Sequence, residues 1–334
     1  VLVAVAVVAL GVVTVALRMQ TAKGPETLPT PALPGGDDAR EGIGERTGIA
    51  NVEAVAEQQT AASDPGASSS SWASLYWDSK DRFAFAEAAA VAALAGDSRA
   101  QYYLSLTLLD CSVQVGLTAP MGRGSVSANI EARFEGTPRL REYDRERIRS
   151  QVMRCERFFN ESPFANLSLP EEAQTHQYWF DRAVAAGDPL AVMDRALKAV
   201  VQGSSSSEDA ETRRTALLSD VRVAVEAKDS TAIAKVGFLY SLQDVGRNHS
   251  FQGPAWLIAA CELGYDCSMR NPEILGECVE GVGICNSAFT LADMFTRDLG
   301  ATRFGEIYAA SQDIVYKINA DDWDGLQQYL ETKL

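Results

Sequence analysis

The chain has 334 residues and sets 30 Lys and Arg against 45 Asp and Glu, a formal net charge of −15. A surface this acidic repels phosphate backbones and anionic headgroups, so nucleic acid is excluded as a partner bound by charge neutralisation. Only two histidines are present, so few side chains titrate near neutral pH.

Val1–Leu17 is uncharged and almost wholly apolar. As a helix it would span roughly 26 Å, near the thickness of a bilayer's hydrocarbon core. Thr14-Val15-Ala16 is a poor signal-cleavage site and Arg18 follows directly. The expectation is a single-pass membrane anchor over residues 1–18. The alternative is a signal peptide whose removal releases a secreted body. Arg18 and Lys23 follow the apolar run and, by the positive-inside rule, argue for a cytoplasmic body. Residues 19–71 read as a disordered linker, with Pro25, Pro29, Pro31, Pro34 and Pro65 and a closing "ASSSS". Residues 72–334 then form the folded body.

Within that body a helix-favouring run is broken and resumed at Asp181–Ala196, "DRAVAAGDPLAVMDRA". Gly187 can end a helix in the left-handed conformation. Asp188 can cap the next helix, and Pro189 suits its first position. Leu190, Met193, Leu197, Val200 and Val201 then fall on one apolar stripe. The spacing predicts an αα-hairpin. The same arrangement of small residues surrounds Gly96 in "AALAGDSRA", Lys228 in "AVEAKDSTA" and Gly264 in "AACELGYDCS". Trp179 and Trp256 each stand eight residues before a turn glycine. Gly187, Lys228 and Gly264 are separated by 41 and 36 residues, and Gly96 lies 91 residues before Gly187. Repeats of this length predict an all-α, irregular αα-hairpin solenoid with an insertion after its first hairpin.

Two stretches interrupt the repeats. "RLREYDRERIRSQVMRCER", residues 139–157, carries seven Arg against four acidic residues. It reads as a solvated helix with ion pairs such as Glu142–Arg145 and Glu146–Arg149. Alternatively Arg139, Arg141, Arg145 and Arg149 form a surface for an anionic partner. "GSSSSED" at Gly203–Asp209 reads as an exposed connection.

Six cysteines form an even set: Cys111, Cys155, Cys261, Cys267, Cys278 and Cys285. Cys261 and Cys267 flank Gly264, and Cys278 and Cys285 flank Gly281, each pair straddling an expected helix–helix turn. Disulfides 261–267 and 278–285 follow, leaving Cys111 and Cys155 to close the insertion. A loop of that length contributes about 4 kcal/mol in the chain-entropy model. Free buried thiols remain one alternative. A four-thiolate zinc site is another, although its gaps are longer than the usual zinc clips. Disulfides imply an oxidising compartment, which outweighs Arg18 and Lys23.

"YWFDRAVAAGDPLAVMDRA" and "FAFAEAAAVAALAGDSRAQYYLSL" resemble Sel1-like repeats, relatives of the tetratricopeptide repeat. The resemblance covers Phe83–Leu109 and Gln177–Val201 well, and Leu217–Leu242 and Ala255–Met269 less closely. Lys228 departs from it by replacing the turn glycine. The segment "AWLIAACELGYDCS…ECVEGVGICN" is also similar to the C-terminal part of uncharacterised proteobacterial envelope proteins. The resemblance implies partner binding or complex assembly in a bacterial envelope, through a concave face lined by second helices. It carries over no catalytic residues.

No G-x-S-x-G, H-E-x-x-H, Walker or Rossmann pattern occurs. His176 sits beside Tyr178 and Trp179 with no nucleophile tied to it, and His249 lies in an expected loop. Glu171–Glu172 and Asp321–Asp322 suit the first turns of helices. The reading is therefore a membrane-anchored periplasmic scaffold that binds another envelope protein and needs no metal or cofactor. The alternative is a glycan-binding or glycan-hydrolysing protein with an unrecognised carboxylate site.

Overall fold

The computed structural model describes residues 68–118, 131, 142–167, 169–202, 210–243, 252–268, 271, 274 and 290–331. Over these residues the protein is all-α: twelve α-helices, two short 3-10 turns and one isolated bridge between Ser268 and Thr290. They divide into two units, one ending at Ala191 and the other beginning at Val192. The first holds α1 (Ser68–Asp78), α2 (Arg82–Leu94), α3 (Ser98–Thr118), α4 (Glu142–Arg154) and α5 (His176–Ala185). Helix α6 (Pro189–Gln202) carries the boundary. The second unit adds α7 (Ala210–Glu226), α8 (Ser230–Gln243), α9 (Gln252–Glu262), α10 (Leu291–Leu299), α11 (Ala301–Asn319) and α12 (Trp323–Glu331).

The anchor segment and nearly all of the linker lie outside the described residues. Helix α1 opens at Ser68, so the serines that close the linker by composition are its first turn. Among the described residues no helix is long and apolar enough to cross a membrane.

All four sequence-predicted turn residues adopt positive φ: Gly96 at 99°, Gly187 at 75°, Lys228 at 50° and Gly264 at 103°. The construction is shared. After α2, Gly96 N–H bonds Ala93 O at 3.2 Å and Asp97 N–H bonds Ala92 O at 3.1 Å. After α5, Gly187 N–H bonds Val184 O at 3.0 Å and Asp188 N–H bonds Ala183 O at 2.9 Å. These bonds satisfy the carbonyls left over at a helix end. The next residue restarts the helix. Asp97 Oδ1 accepts from Ala100 N, Asp188 Oδ1 from Leu190 N and Ala191 N, and Asp229 Oδ1 from Ala232 N. A left-handed residue followed by a capping aspartate thus turns one helix into the next.

The turn at Gly264 departs from expectation. It ends α9 in the same way, with Tyr265 N–H on Ala260 O at 2.9 Å. No helix restarts directly: Tyr265–Ser268 is non-helical, and Ser268 bridges Thr290. The other turns place Asp97, Asp188 or Asp229 after the left-handed residue, whereas here Tyr265 stands there and supplies no carboxylate cap. Asp266, one place later, instead accepts from Ser268 N–H in a local turn.

A further turn lies between α11 and α12. Asp321 holds φ 54° and Asp322 Oδ1 accepts from Gly325 N–H at 2.9 Å. Asp321 and Asp322, read from sequence as a first-turn pair, are therefore the left-handed residue and the cap.

Lys228 bears a Cβ where the other hairpins have glycine. We expect Lys228→Gly to raise stability by about 1 kcal/mol by relieving the left-handed penalty. The exposed Lys228–Asp321 ion pair, at 2.9 Å, offsets little of this. Gly187→Val should do the reverse, losing about 1–3 kcal/mol from backbone strain, since a Cβ there meets no atom within 4 Å. Urea denaturation of both variants checks the pair; equal effects of one sign would contradict it.

Small residues beside the turns are buried: Ala93, Ala100, Ala183, Ala191, Ala224, Ala232 and Ala260. In the first unit α5 lies against α3; in the second, α9 lies against α8 and α11. Trp179 and Trp256 are fully buried on α5 and α9. Trp179 Nε1 donates to Ala173 O at 2.7 Å, whereas Trp256 Nε1 meets no acceptor among the described residues. Ion pairs add cross-links inside each unit. Arg99 Nε on α3 reaches the buried capping carboxylate of Asp188 at 2.7 Å, and Lys235 Nζ on α8 reaches Asp194 on α6 at 2.6 Å.

Candidate functional site

Among the described residues a polar constellation joins α1, α2 and α3. Arg82, the first residue of α2, is only 3% exposed. Its Nη1 donates to the Tyr76 carbonyl, and its guanidinium lies 3.6 Å from the centroid of the Tyr76 ring. Tyr76 Oη donates to Asp110 Oδ2 at 3.4 Å. Around them pack the rings of Trp77, Phe85 and Tyr103. Burial, aided by Asp110, pushes the Tyr76 phenol above its ordinary value and opposes the pull of Arg82. Burial also lowers Arg82, against support from Tyr76 and Asp110. Crowding by protein raises the Asp110 carboxyl while Arg82 and the Tyr76 hydroxyl lower it. Asp110 as a residue remains open to water, so screening keeps its effect small. A phenol held in its neutral form is a hydrogen-bond donor and not a nucleophile. The constellation satisfies a buried arginine and locks α1 onto its neighbours. The sequence reading did not single it out, because its three members lie on three helices without a shared spacing.

The cysteines fall as paired where they are described. Cys111 on α3 is linked to Cys155 just after α4, with Cα atoms 5.3 Å apart. Cys261 on α9 is linked to Cys267, with Cα atoms 5.7 Å apart. Only one arm of this second staple is helical, as described above. Cys278 and Cys285 lie outside the described residues. A cystine supplies no thiolate, so Cys261 and Cys267 as linked here do not fit the four-thiolate zinc alternative. No cluster of three or more His, Cys, Asp or Glu with metal-binding geometry occurs among the described residues.

Arg139 and Arg141 lie outside the described residues, and Arg145 falls within α4. Arg149 is engaged: it pairs with Glu146 at 2.6 Å and Glu131 at 2.8 Å. These partners raise its guanidinium further above its ordinary range. Arg149 therefore follows the solvated-helix reading, with the expected Glu146 partner. His176 is the first residue of α5, and Glu171 and Glu172 open a 3-10 turn before it. His249 lies outside the described residues.

Two sets of large apolar side chains face water. On the first unit these are Leu75 and Trp77 of α1, Val91 and Leu94 of α2 and Met153 of α4, with Val91 58% exposed. On the second they are Tyr308 and Tyr316 of α11, with Tyr316 71% exposed. Phe304 and Tyr308 stand one turn apart with ring centroids 6.3 Å apart. Beside them Ala301, Gly305 and Ala309 are exposed and small. Single exposed apolar groups are ordinary, whereas exposed apolar groups that cluster mark interaction surfaces.

Compared with protein-family models, curated proteins and solved structures, the chain finds no match.

Proposed function

We propose that this protein is a non-enzymatic interaction module of a bacterial envelope, built as a helical-repeat solenoid. Residues 1–17 hold it at the inner membrane, and its body faces the periplasm and captures another envelope protein. The observation that carries the reading is the exposure of Trp77 and Val91 on one unit and Tyr308 and Tyr316 on the other. Aromatic side chains left in water favour protein recognition, where they bury much area for little lost entropy. The cystines support an oxidising compartment.

The test is partner capture from detergent-solubilised membranes with the full chain, alongside a Tyr308→Ser/Tyr316→Ser variant and a Trp77→Ser variant. One reproducible protein partner, weakened at least roughly tenfold by one of the variants at unchanged helicity, is the expected result. Turnover of cell-wall fragments, unaffected by either variant, would replace this reading with the glycan-directed one. Retention of the protein in carbonate-washed membranes checks the anchor, and a soluble chain beginning near Arg18 would refute it.

A further inference from the structure

The two described cystines differ in their surroundings. Cys111 and Cys155 are 0% and 1% exposed, whereas Cys261 and Cys267 are both half-buried. The first closes a separation of 44 residues and the second a separation of 6, so opening the second returns less chain entropy. Cys267 lies in a non-helical segment beyond the Gly264 turn. Cys261 Sγ rests 3.2 Å from Leu257 O one turn back on α9, so a thiol there keeps an acceptor already in place. The bonds of the turn, Gly264 N–H on Cys261 O and Tyr265 N–H on Ala260 O, involve no sulfur. The reduced pair can therefore be accommodated without undoing the end of α9.

We propose that Cys261–Cys267 is a reversible modification site for a dithiol reductant, and that it clamps the entry of α10. The clamp is visible in the backbone. Cys267 O accepts from Leu291 N–H at 3.0 Å, and the next residue, Ser268, bridges Thr290. Thr290 in turn caps α10 through a reciprocal pair of bonds with Asp293. The cystine therefore ties the last turn of α9 to the first residues of α10. The exchange balances. One dithiol sulfur, having lost its proton to solvent, attacks Cys267 Sγ, and the Cys261–Cys267 bond breaks. Cys261 leaves as a thiolate and takes the proton of the dithiol's second sulfur. That second thiolate attacks the mixed disulfide, and Cys267 leaves and is protonated from solvent. One protein S–S bond and two reductant S–H bonds become two protein S–H bonds and one reductant S–S bond. This site does not depend on the partner proposed above.

The test uses the full chain in its native state, without denaturant, over graded dithiothreitol. Thiols are trapped by alkylation and located by peptide mapping. Cys261 and Cys267 are expected to label at a dithiothreitol concentration at least roughly tenfold below that which opens Cys111–Cys155. Hydrogen exchange at the Leu291 amide should rise in parallel, while α5 stays protected. Opening of both cystines together, earlier opening of Cys111–Cys155, or thiols at 261 and 267 before any dithiol is added would overturn the site. Unchanged exchange at Leu291 on reduction would overturn the clamp. A Cys261→Ser/Cys267→Ser variant should show the faster exchange without dithiothreitol. If that variant fails to fold, the wild-type titration still decides.

Discussion

Replacing Trp179 with alanine should cost about 3–5 kcal/mol of stability, one of the largest losses available to a single side chain here. The indole is fully buried on α5, the helix that lies against α3. Its removal leaves a cavity on α5 one turn from the small, fully buried Ala183. It also strips Ala173 O of its 2.7 Å partner. Trp179→Phe keeps most of the apolar volume but not the donor, so it should cost about 1–3 kcal/mol. Urea unfolding of the two variants separates packing from the hydrogen bond. A loss below about 1 kcal/mol for alanine would mean that the site collapses readily and that the tryptophan is no keystone.

Gly253→Val should be comparably damaging, for the opposite reason. Helices α8 and α9 meet at Gly237 and Gly253, and neither has room for a side chain. A Cβ on Gly253 would stand 2.9 Å from Gly237 O and collide with Ser241 Oγ. A Cβ on Gly237 would stand 2.6 Å from Leu257 Cγ and 2.9 Å from Gly253 O. The serine hydroxyl can swing away, but the carbonyl oxygens belong to helix backbone. The helices must then separate, which costs about 3 kcal/mol for valine and somewhat less for alanine. Gly237→Ala and Gly253→Ala combined should cost less than the sum of the two, because one separation serves both. Calorimetric unfolding of the set tests this. Additive losses would show that the two glycines act independently and not as one crossing point.

The turns were legible in the sequence because their causes are local. A left-handed residue needs glycine or tolerates strain, and the aspartate beside it bonds amides two or three residues ahead. Gly96, Gly187 and Lys228 could therefore be placed from "AGD", "AGD" and "AKD". The same signal, "ADD", marks Asp321, but without a glycine it reads as an acidic helix start. At Gly264 the glycine is present but the aspartate after it is not, so Tyr265–Ser268 runs non-helical where the spacing predicts a helix. Cys261 and Cys267 still meet, because a reversal this tight brings them within 5.7 Å whatever the second arm becomes.

What the sequence by itself determined, then, is the all-α class, the places where helices end and restart, and the short-range staple at Gly264. Each is an interaction among residues a few positions apart. The tertiary structure alone decided that Gly237 and Gly253 form a crossing, that Tyr76 reaches Asp110, and that Arg149 is held by Glu131 as well as Glu146. These depend on which helix face meets which. That choice is made by burial and shape complementarity summed over whole helices, and no short stretch of sequence carries it.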